Sequence, residues 1–360
     1  MQITQIDLRG VREPGGRSYV VLKVSTDAGL SGFGEAPARP DAATAVALLK
    51  KELAPLTGMN PERAVRIEQD LLRSGASPAA RAAANVAVLD ILAQSSKAPL
   101  FETLGGPTRN KVRSMAVIQG ATTAELRSGV LAAKRAGHRA FSIPLDVPEG
   151  MERGRKFFTD IREQMDALRS AAGDDSDFVL DCGGRTSPGE ALSIAVRMED
   201  FHLLWLDEPT GDLSADAKAS VSRGSVTPIG FGRGVTDNAR FQDLLRADGI
   251  DVLRPDIALN GVTAIRKAAA LAETYYVAVA PYHRGGPIGT AAGLHIAASL
   301  PNSFAQEVPF PMDAASRRAR ASIASGWDES PDEGFFALSE RPGLGLEIDE
   351  DALDALTVAR

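Results

Sequence analysis

The chain has 360 residues, enough for two domains or for one large barrel with an attachment, and a chain this long needs no disulfides to bury a core. Its net charge of −7 argues against a general nucleic-acid-binding protein, and its single cysteine, Cys182, excludes an intrachain disulfide. The first residues lack the basic and apolar regions of a signal peptide, and no apolar run approaches the roughly 18 residues of a membrane span. We therefore expect a cytoplasmic protein without a membrane or nucleic-acid partner.

The first part of the chain predicts strands followed by helices. Residues 18–26 are rich in β-branched side chains and alternate between apolar and polar positions, as a half-buried strand does. Alanine-rich helical patterns follow at about 42–56, 61–73 and 78–95. Asp90, in the last of these helices, is expected to be a solvated or helix-capping residue.

From residue 112 onward, short apolar runs alternate with amphipathic helical patterns. There are eight such runs, which predict eight strands at 112–118, 140–144, 178–181, 203–207, 228–232, 252–256, 277–282 and 304–307. Eight strand–helix units over about 200 residues predict an α/β fold of the closed (β/α)₈-barrel type. A doubly wound open sheet is the competing fold, but it usually has fewer strands, and no GxGxxG motif follows the first strand.

A polar residue stands at the end of six of these predicted strands. The separations between successive members are 26, 26, 23, 26 and 25 residues, about one strand–helix unit each, for Asp181, Asp207, Arg233, Asp256, Tyr282 and Glu307. Such a step places the six residues at one height, on the carboxyl-terminal rim where barrel enzymes build their active sites. Strand ends are often polar because they enter turns, but six in phase favour a functional site.

Several motifs, in order along nearly the whole chain, resemble the enolase superfamily, in its mandelate racemase and sugar-acid dehydratase branch. Residues 24–36 resemble the hairpin of the family's capping domain, and residues 89–93 and 104–107 resemble the helix and turn before the barrel. The sixth- and seventh-strand signatures are matched by residues 251–262 and 280–289. Residues 342–347 resemble the tail that returns to the cap. The resemblance implies an α+β capping domain at 1–110, completed by a C-terminal tail at 330–360. It also implies a barrel at 111–329 and a homo-oligomer.

The resemblance also implies a chemistry. The family removes the proton α to the carboxylate of a small acid, and a divalent metal held by three carboxylates stabilises the enediolate that forms. Hard oxygen ligands of this kind suit Mg²⁺. Basic groups on either side of the substrate exchange the proton, often a lysine on one side and a histidine paired with an aspartate on the other.

Position by position, the sequence keeps part of the implied metal site. The first ligand matches Asp181, and the second matches Asp207, where the family normally has Glu and where Glu208 is adjacent. The third carboxylate position holds Arg233. A guanidinium there repels Mg²⁺ and is able to pair with both aspartates, so we interpret Arg233 as an internal replacement for the metal's positive charge. The family resemblance thus implies that Mg²⁺ binds here, while the positive charge of Arg233 argues against its binding.

The acid–base residues also depart from the family pattern. The second-strand Lys-x-Lys motif reads Ser142-Ile-Pro144, so both lysines are absent, and the seventh-strand histidine position holds Tyr282. The aspartate of the usual pair is kept as Asp256. The adjacent His283 is the best remaining imidazole, although strict alternation along a strand points it away from the barrel mouth unless the turn brings it back.

Four residues are candidates for substrate binding. Glu307 matches the eighth-strand glutamate that contacts the substrate carboxylate in racemases, and Arg284 precedes two glycines that would let the backbone approach an anion. Arg12 and Arg17 flank a Pro-Gly-Gly turn in the capping loop that shapes specificity in the family. Either arginine is able to bind a carboxylate.

Two classes of function remain open. In the first, the chain is a lyase or isomerase that abstracts an α-proton from a small hydroxy acid or sugar acid, such as an acid-sugar dehydratase, racemase or epimerase. Arg233 and Glu307 would bind the carboxylate, and His283 or Tyr282 would move a proton. In the second, it is a catalytically inactive homologue that binds a small acid or serves a structural role. The second class stays open because the sequence departs from the family pattern at three places: the third carboxylate, the lysine pair and the histidine.

Overall fold

The computed structural model describes residues 1–148, 153–211, 214–311, 313–327 and 329–360. A four-stranded antiparallel sheet begins the chain, and its first three strands form a meander. These strands are β1 (Ile3–Arg12), β2 (Ser18–Thr26) and β3 (Ser31–Pro37). Four helices follow, α1 (Ala42–Leu53), α2 (Ala64–Arg73), α3 (Pro78–Ser95) and α4 (Leu100–Thr103). Sheet and helices together form the cap.

Eight parallel strands then build the barrel, each followed by a helix. The strands are β4 (Lys111–Val117), β5 (Ala140–Pro144), β6 (Asp177–Asp181), β7 (Trp205–Asp207), β8 (Ile229–Phe231), β9 (Val252–Leu253), β10 (Ala278–Val279) and β11 (Gln306–Pro309). The helices are α5 (Thr123–Arg135), α6 (Arg155–Ala172), α7 (Pro188–Arg197), α8 (Ala215–Ser222), α9 (Asn238–Arg246), α10 (Ile257–Glu273), α11 (Pro287–Ser299) and α12 (Ala314–Ile323).

The strands follow one another in sequence order around the sheet, and β11 pairs with β4. The remaining gap, between β10 and β11, is closed by a parallel bridge between Val279 and Ser303, and the N–H of Phe304 donates to the carbonyl of Val279 at 2.8 Å. The predicted barrel is therefore confirmed. No helix in the described ranges is long and apolar enough to span a membrane.

Successive side chains along each barrel strand point alternately into the barrel interior and out toward the helices. A buried apolar cluster fills the lower barrel with Met115, Ala140, Val179, Trp205, Val252, Ala280 and Ala305. Because side chains on a strand repeat with a period of two, the residues two places further along point into the same interior. Those positions include Asp181, Asp207, Arg254, Tyr282 and Glu307. The apolar layer thus forms a floor beneath a charged layer.

The C-terminal tail returns to the cap. It contains β12 (Ala324–Ser325), β13 (Phe335–Ala337), β14 (Glu347–Ile348), α13 (Glu350–Ala355) and β15 (Thr357–Ala359). Strand β15 pairs antiparallel with β1 and supplies the fourth strand of the cap sheet, which confirms the predicted return of the tail.

Asp90 links the tail to the cap, so the expectation of a solvated or helix-capping residue is wrong. It is buried in α3, and its carboxylate accepts the N–H of Phe33 at 3.0 Å and the N–H of Leu344 at 2.9 Å. Burial raises its pKa to about 6. The carboxylate satisfies backbone donors of a strand and of the tail that would otherwise be buried without partners.

Candidate active site

Six charged side chains meet at the carboxyl ends of the barrel strands. We call them the ion-pair ring; its members are Asp181, Asp207, Arg233, Arg254, Arg284 and Glu307. Arg233 begins one half of the ring. Its guanidinium donates to Asp181 at 3.0 Å through Nη1 and pairs with Asp207 through Nη2. Asp207 also accepts a hydrogen bond from Arg254 Nε at 3.0 Å.

Arg254 and Arg284 complete the other half of the ring. Arg254 Nη2 pairs with Glu307, whose other oxygen accepts from Arg284 Nε at 2.7 Å. Arg284 Nη2 then reaches Asp181 at 3.0 Å, which closes the circuit. Each arginine bridges two carboxylates, and each carboxylate is bridged by two arginines.

Burial makes this alternation of charges necessary. The side chains of Asp207, Arg254 and Glu307 have no solvent exposure, and an unpaired charge in such a place would carry a large desolvation penalty. Burial by itself raises the pKa of Glu307, but the neighbouring Arg284 and Arg254 outweigh it and bring the pKa to about 2. Three carboxylates and three guanidinium groups thus alternate around the ring, so their formal charges balance and the ring is neutral.

The ring of Tyr282 lies against all three guanidinium groups. Its centroid is 4.5 Å from the guanidinium carbon of Arg233, 5.3 Å from that of Arg284 and 5.9 Å from that of Arg254. Cations within about 6 Å of an aromatic centroid are attracted to it. Burial raises the pKa of Tyr282, so the phenol stays protonated at neutral pH.

The turn after β8 places Arg233. Gly232 has φ +134°, a conformation that favours glycine, and it lets the chain turn so that the Arg233 side chain enters the barrel. Glu208 has φ +41°, and its carboxylate accepts the N–H of Gly232 at 2.7 Å and that of Arg233 at 2.8 Å. Burial raises the pKa of Glu208. Glu208 thus fixes the backbone beneath Arg233 rather than facing the barrel mouth.

The carboxylates at the implied magnesium site are already hydrogen-bonded to guanidinium or backbone groups. Asp181 and Asp207 each accept hydrogen bonds from two guanidinium groups, the third ligand position holds Arg233, and Glu208 is committed to backbone N–H groups. Within the described ranges, no group of three or more His, Cys, Asp or Glu side chains is arranged to hold a metal ion. Mg²⁺ needs hard oxygen ligands that are free to face it, and here guanidinium groups occupy them.

A pocket of about 330 Å³ lies beside the ring, between the cap and the barrel mouth. Its barrel side includes Asp256, Tyr282 and Arg284, and its cap side includes Arg12 and Arg39. Asp256 and Tyr282 lie on adjacent strand ends that form a parallel bridge, with the N–H of Tyr282 donating to the carbonyl of Pro255 at 2.9 Å. The predicted pair from the sixth and seventh strands therefore shares one pocket.

Asp256 has the properties of a general base. One oxygen of its carboxylate accepts the N–H of Ala258 at 2.8 Å and so caps the start of α10. Burial raises its pKa to about 7, against the hydrogen bond from Ala258 and the positive charge of Arg39, both of which lower it. A carboxyl with a pKa near neutral pH, lining a cleft, is suited to accept and return a proton.

His283 lies on the opposite side of its strand, as strict alternation predicts. It is buried away from the pocket, with Nε2 at 2.9 Å from the carbonyl oxygen of Gly286. Burial lowers its pKa to about 4, so the imidazole is neutral at physiological pH. The alternative, in which the turn brings His283 back to the mouth, is wrong in this structure.

Two of the substrate-binding candidates lie outside the pocket. Glu307 is sealed beneath Arg254 and Arg284 and does not line it. Arg17 instead reaches from the cap to the loop after β10, where its Nη1 donates to the carbonyl of Arg284 at 3.3 Å. Arg12 and Arg284 do line the pocket, and their binding of a carboxylate stays a prediction.

The sequence analysis missed Arg254. It is fully buried, joins Asp207 to Glu307 and also donates to the carbonyl of Ala280 at 2.5 Å. The sequence carries a signal for it: Arg254 is two residues before Asp256 on the predicted strand 252–256, so the two are expected to share a face. An arginine inside an apolar barrel strand needs carboxylate partners, and those were already among the candidates.

The fold and the ring define a capped barrel whose chemistry-bearing residues lie at the carboxyl ends of its strands. Residues 10–105 match the model of the mandelate racemase/muconate lactonizing enzyme N-terminal domain, and residues 125–352 match that of the enolase C-terminal domain-like family. The chain therefore belongs to the enolase superfamily, in its mandelate racemase/muconate lactonizing enzyme branch.

Curated relatives and solved structures agree with this assignment. A D-xylonate dehydratase of Haloferax volcanii is 28% identical, covering 97% of this chain and 88% of that protein. A D-galactonate dehydratase of Ralstonia pickettii is 29% identical, covering 92% and 89%. A mandelate racemase/muconate lactonizing enzyme-like protein from Rubrobacter xylanophilus superimposes with a TM-score of 0.88 at 25% identity, covering 99% of this chain and 97% of that one.

Proposed function

We propose that this protein is a lyase or isomerase that removes the α-proton of a small sugar acid or hydroxy acid, with sugar-acid dehydration as the leading reaction. One observation carries the proposal: Asp256, Tyr282 and Arg284 meet on the barrel side of the pocket, and Asp256 has a pKa of about 7. The relatives that dehydrate D-xylonate and D-galactonate support sugar acids as the ligand class.

Arg284 anchors the substrate carboxylate in this proposal. Its Nε and Nη2 are held by Glu307 and Asp181, while Nη1 has no hydrogen-bond partner among the described residues. Its side chain is 32% exposed, against 15% for Arg233 and none for Arg254. Arg284 is thus the member of the ring best placed to meet a ligand. A carboxylate bound there accepts a charge-assisted hydrogen bond from a guanidinium held rigidly by two ion pairs.

Asp256 and Tyr282 then move the protons. Asp256 takes the proton from the carbon next to the carboxylate, and the carbanion's electrons delocalise into the carboxylate beside Arg284. In a dehydration the β-carbon–oxygen bond breaks, and the departing oxygen takes the proton of the Tyr282 phenol and leaves as water. The proton on Asp256 returns to the phenolate, so the site is restored without an oxidant or a second substrate. Tyr282 suits this role because its raised pKa keeps it protonated.

Arg284 supplies the positive charge beside the substrate in this proposal. Its guanidinium is held by Glu307 and Asp181 and lines the pocket, and a fixed cation in a buried site stabilises developing negative charge without reorganising. We propose that the metal site is degenerate and that Arg233 is the cause. Calorimetric titration of Mg²⁺ into the protein is expected to show weak binding or none, and tight binding would refute the charge argument.

The alternative, a catalytically inactive protein that binds a small acid, is favoured by a different observation. The second-strand lysines are replaced by Ser142 and Pro144, so no amine faces the substrate from β5. Only one side of the pocket then carries an acid–base group of the usual kind. A binding protein would keep Arg284 as an anion anchor without needing Asp256 as a base.

Proton exchange separates the two functions. D-Xylonate, D-galactonate and related acids are incubated with the protein in D₂O containing a chelator, and the α-proton signal is followed by NMR. Loss of that signal with the wild-type protein, but not with Asp256→Asn, establishes the enzyme. Binding of an acid by calorimetry, with the α-proton retained, establishes the inactive homologue instead.

A further inference from the structure

The pocket has cations on both of its walls. Arg284 lies on the barrel side, while Arg12, at the end of β1, and Arg39, just after β3, line the cap side. A ligand that reaches from the barrel to the cap therefore meets guanidinium groups at each end. The two walls come from different parts of the fold, so no single local feature of the sequence accounts for both.

The cap-side arginines are not neutralised by the protein. Arg12 makes a 3.4 Å hydrogen bond from Nε to the hydroxyl of Ser18, and neither Arg12 nor Arg39 has an ion pair with a carboxylate in the described part of the chain. Arg284, by contrast, is paired twice within a neutral ring. Arg39 also lowers the pKa of Asp256, which places its positive charge within electrostatic reach of the proposed base.

Two carboxylates of the cap also line this pocket, and neither forms an ion pair with Arg12 or Arg39 among the described residues. Asp41 caps α1 with a carboxylate that accepts the N–H and the hydroxyl of Thr44 at 2.9 and 2.8 Å. Glu35 is buried, and its oxygens accept the N–H groups of Gly286 and Gly289, while burial raises its pKa to about 7. Both carboxylates are thus committed to backbone groups at helix starts.

We propose that the ligand is a dianion: a short polyhydroxy acid with a second carboxylate at the end remote from the reacting carbon, that is, a sugar diacid. This rests on the proposed function for its orientation, with the reacting carboxylate at Arg284 and the remote one between Arg12 and Arg39. A volume of about 330 Å³ is at the lower end of ligand pockets, which favours a short, compact acid. Arg12 and Arg39 are then specificity residues that distinguish a terminal carboxylate from a terminal hydroxymethyl group.

The test compares two ligands of equal length that differ at that end, galactonate and galactarate. Calorimetry is done on the full chain at pH 7 with a chelator present. We expect galactarate to bind about tenfold more tightly to the wild-type protein, which corresponds to about 1.4 kcal/mol. In the double variant Arg12→Gln/Arg39→Gln the two affinities become equal within about threefold, because galactarate loses the guanidinium partners of its remote carboxylate. Lowering the salt concentration strengthens the wild-type preference because exposed ion pairs are screened.

A matched control is the double variant Arg66→Gln/Arg73→Gln. Both are exposed arginines of α2 that pair with Asp70, outside this pocket, so their removal changes the net charge equally and is expected to leave the preference for galactarate intact. Equal binding of the two acids by the wild-type protein, or a preference that survives in Arg12→Gln/Arg39→Gln, overturns the diacid assignment. The proposed function itself is refuted if neither acid binds the wild-type protein. It is also refuted if both acids bind Arg284→Gln as tightly as they bind the wild-type protein.

Discussion

Replacing Asp256 by Asn is expected to stabilise the protein at alkaline pH while abolishing proton exchange. Asp256 caps α10 by accepting the N–H of Ala258 at 2.8 Å, and asparagine caps helices about as well as aspartate. The substitution therefore keeps the start of the helix and removes the ionisation. Burial raises the pKa of Asp256 from 3.8 to about 7, so the folded protein holds the proton more tightly than the unfolded chain.

The difference between the folded and unfolded pKa values sets the sign and size of the change in unfolding free energy. A raised pKa contributes stability that is complete below about pH 4, and it is lost as the pH rises to about 7. About three pKa units at roughly 1.4 kcal/mol each set an upper bound of about 4 kcal/mol. Because the side chain faces the pocket and is only partly buried, we expect about 1–3 kcal/mol. Wild type and Asp256→Asn should thus be equally stable near pH 4, and the variant more stable at pH 8.

The assay is urea unfolding of both proteins at pH 4 and pH 8, with NMR proton exchange measured on the same samples. Asp41→Asn is a matched control, because Asp41 also caps a helix but its pKa is lowered by hydrogen bonds from Thr44. Asp41→Asn should therefore lower the stability at pH 8, whereas Asp256→Asn should raise it. An equal stability difference for Asp256→Asn at both pH values would show that its pKa is not raised. Proton exchange that persists in this variant would show that Asp256 is not the base.

Three further outcomes are expected. Arg254→Met, measured by urea unfolding, should destabilise the fold by about 3–5 kcal/mol because it leaves Asp207 and Glu307 buried with less compensating charge; a loss under about 1 kcal/mol would contradict the buried ring. Arg233→Glu should create measurable Mg²⁺ affinity in calorimetry, because it supplies a third carboxylate beside Asp181 and Asp207; a variant that folds and shows no heat of binding would mean that the charge at this position is not the obstacle. Light scattering after size exclusion should give a mass above the 37.9 kDa of one chain, and a monomer would contradict the oligomer implied by the family.

Much of the mouth of the barrel was predictable because strand ends repeat at a near-constant step. Asp181, Asp207 and Arg233 follow this rule, and the structure pairs Arg233 with both aspartates as the charge argument predicts. Alternation along a strand also explains why His283, a catalytic candidate from the sequence, faces away from the mouth. Such periodic features are local, so the sequence is sufficient to read them.

Two residues show where the local rules end. Glu307 was assigned to substrate, but Arg254 and Arg284 seal it from the pocket, a result that depends on three strands meeting at one level. Asp90 looks like any polar helix residue, yet its partners are Phe33 and Leu344, 57 and 254 positions away. Neither long-range partnership leaves a periodic trace.

The sequence by itself determined the alternation of strands and helices, the phase of the charged strand ends and the presence of a cation, Arg233, among them. These follow from side-chain periodicity and charge, which are properties of short segments. Only the tertiary structure decided that three arginines and three carboxylates close into one neutral ring. Only the tertiary structure brought Arg39 of the cap into electrostatic reach of Asp256 in the barrel. The reason is that Coulomb interactions and desolvation depend on distance and burial in space, whatever the separation along the chain.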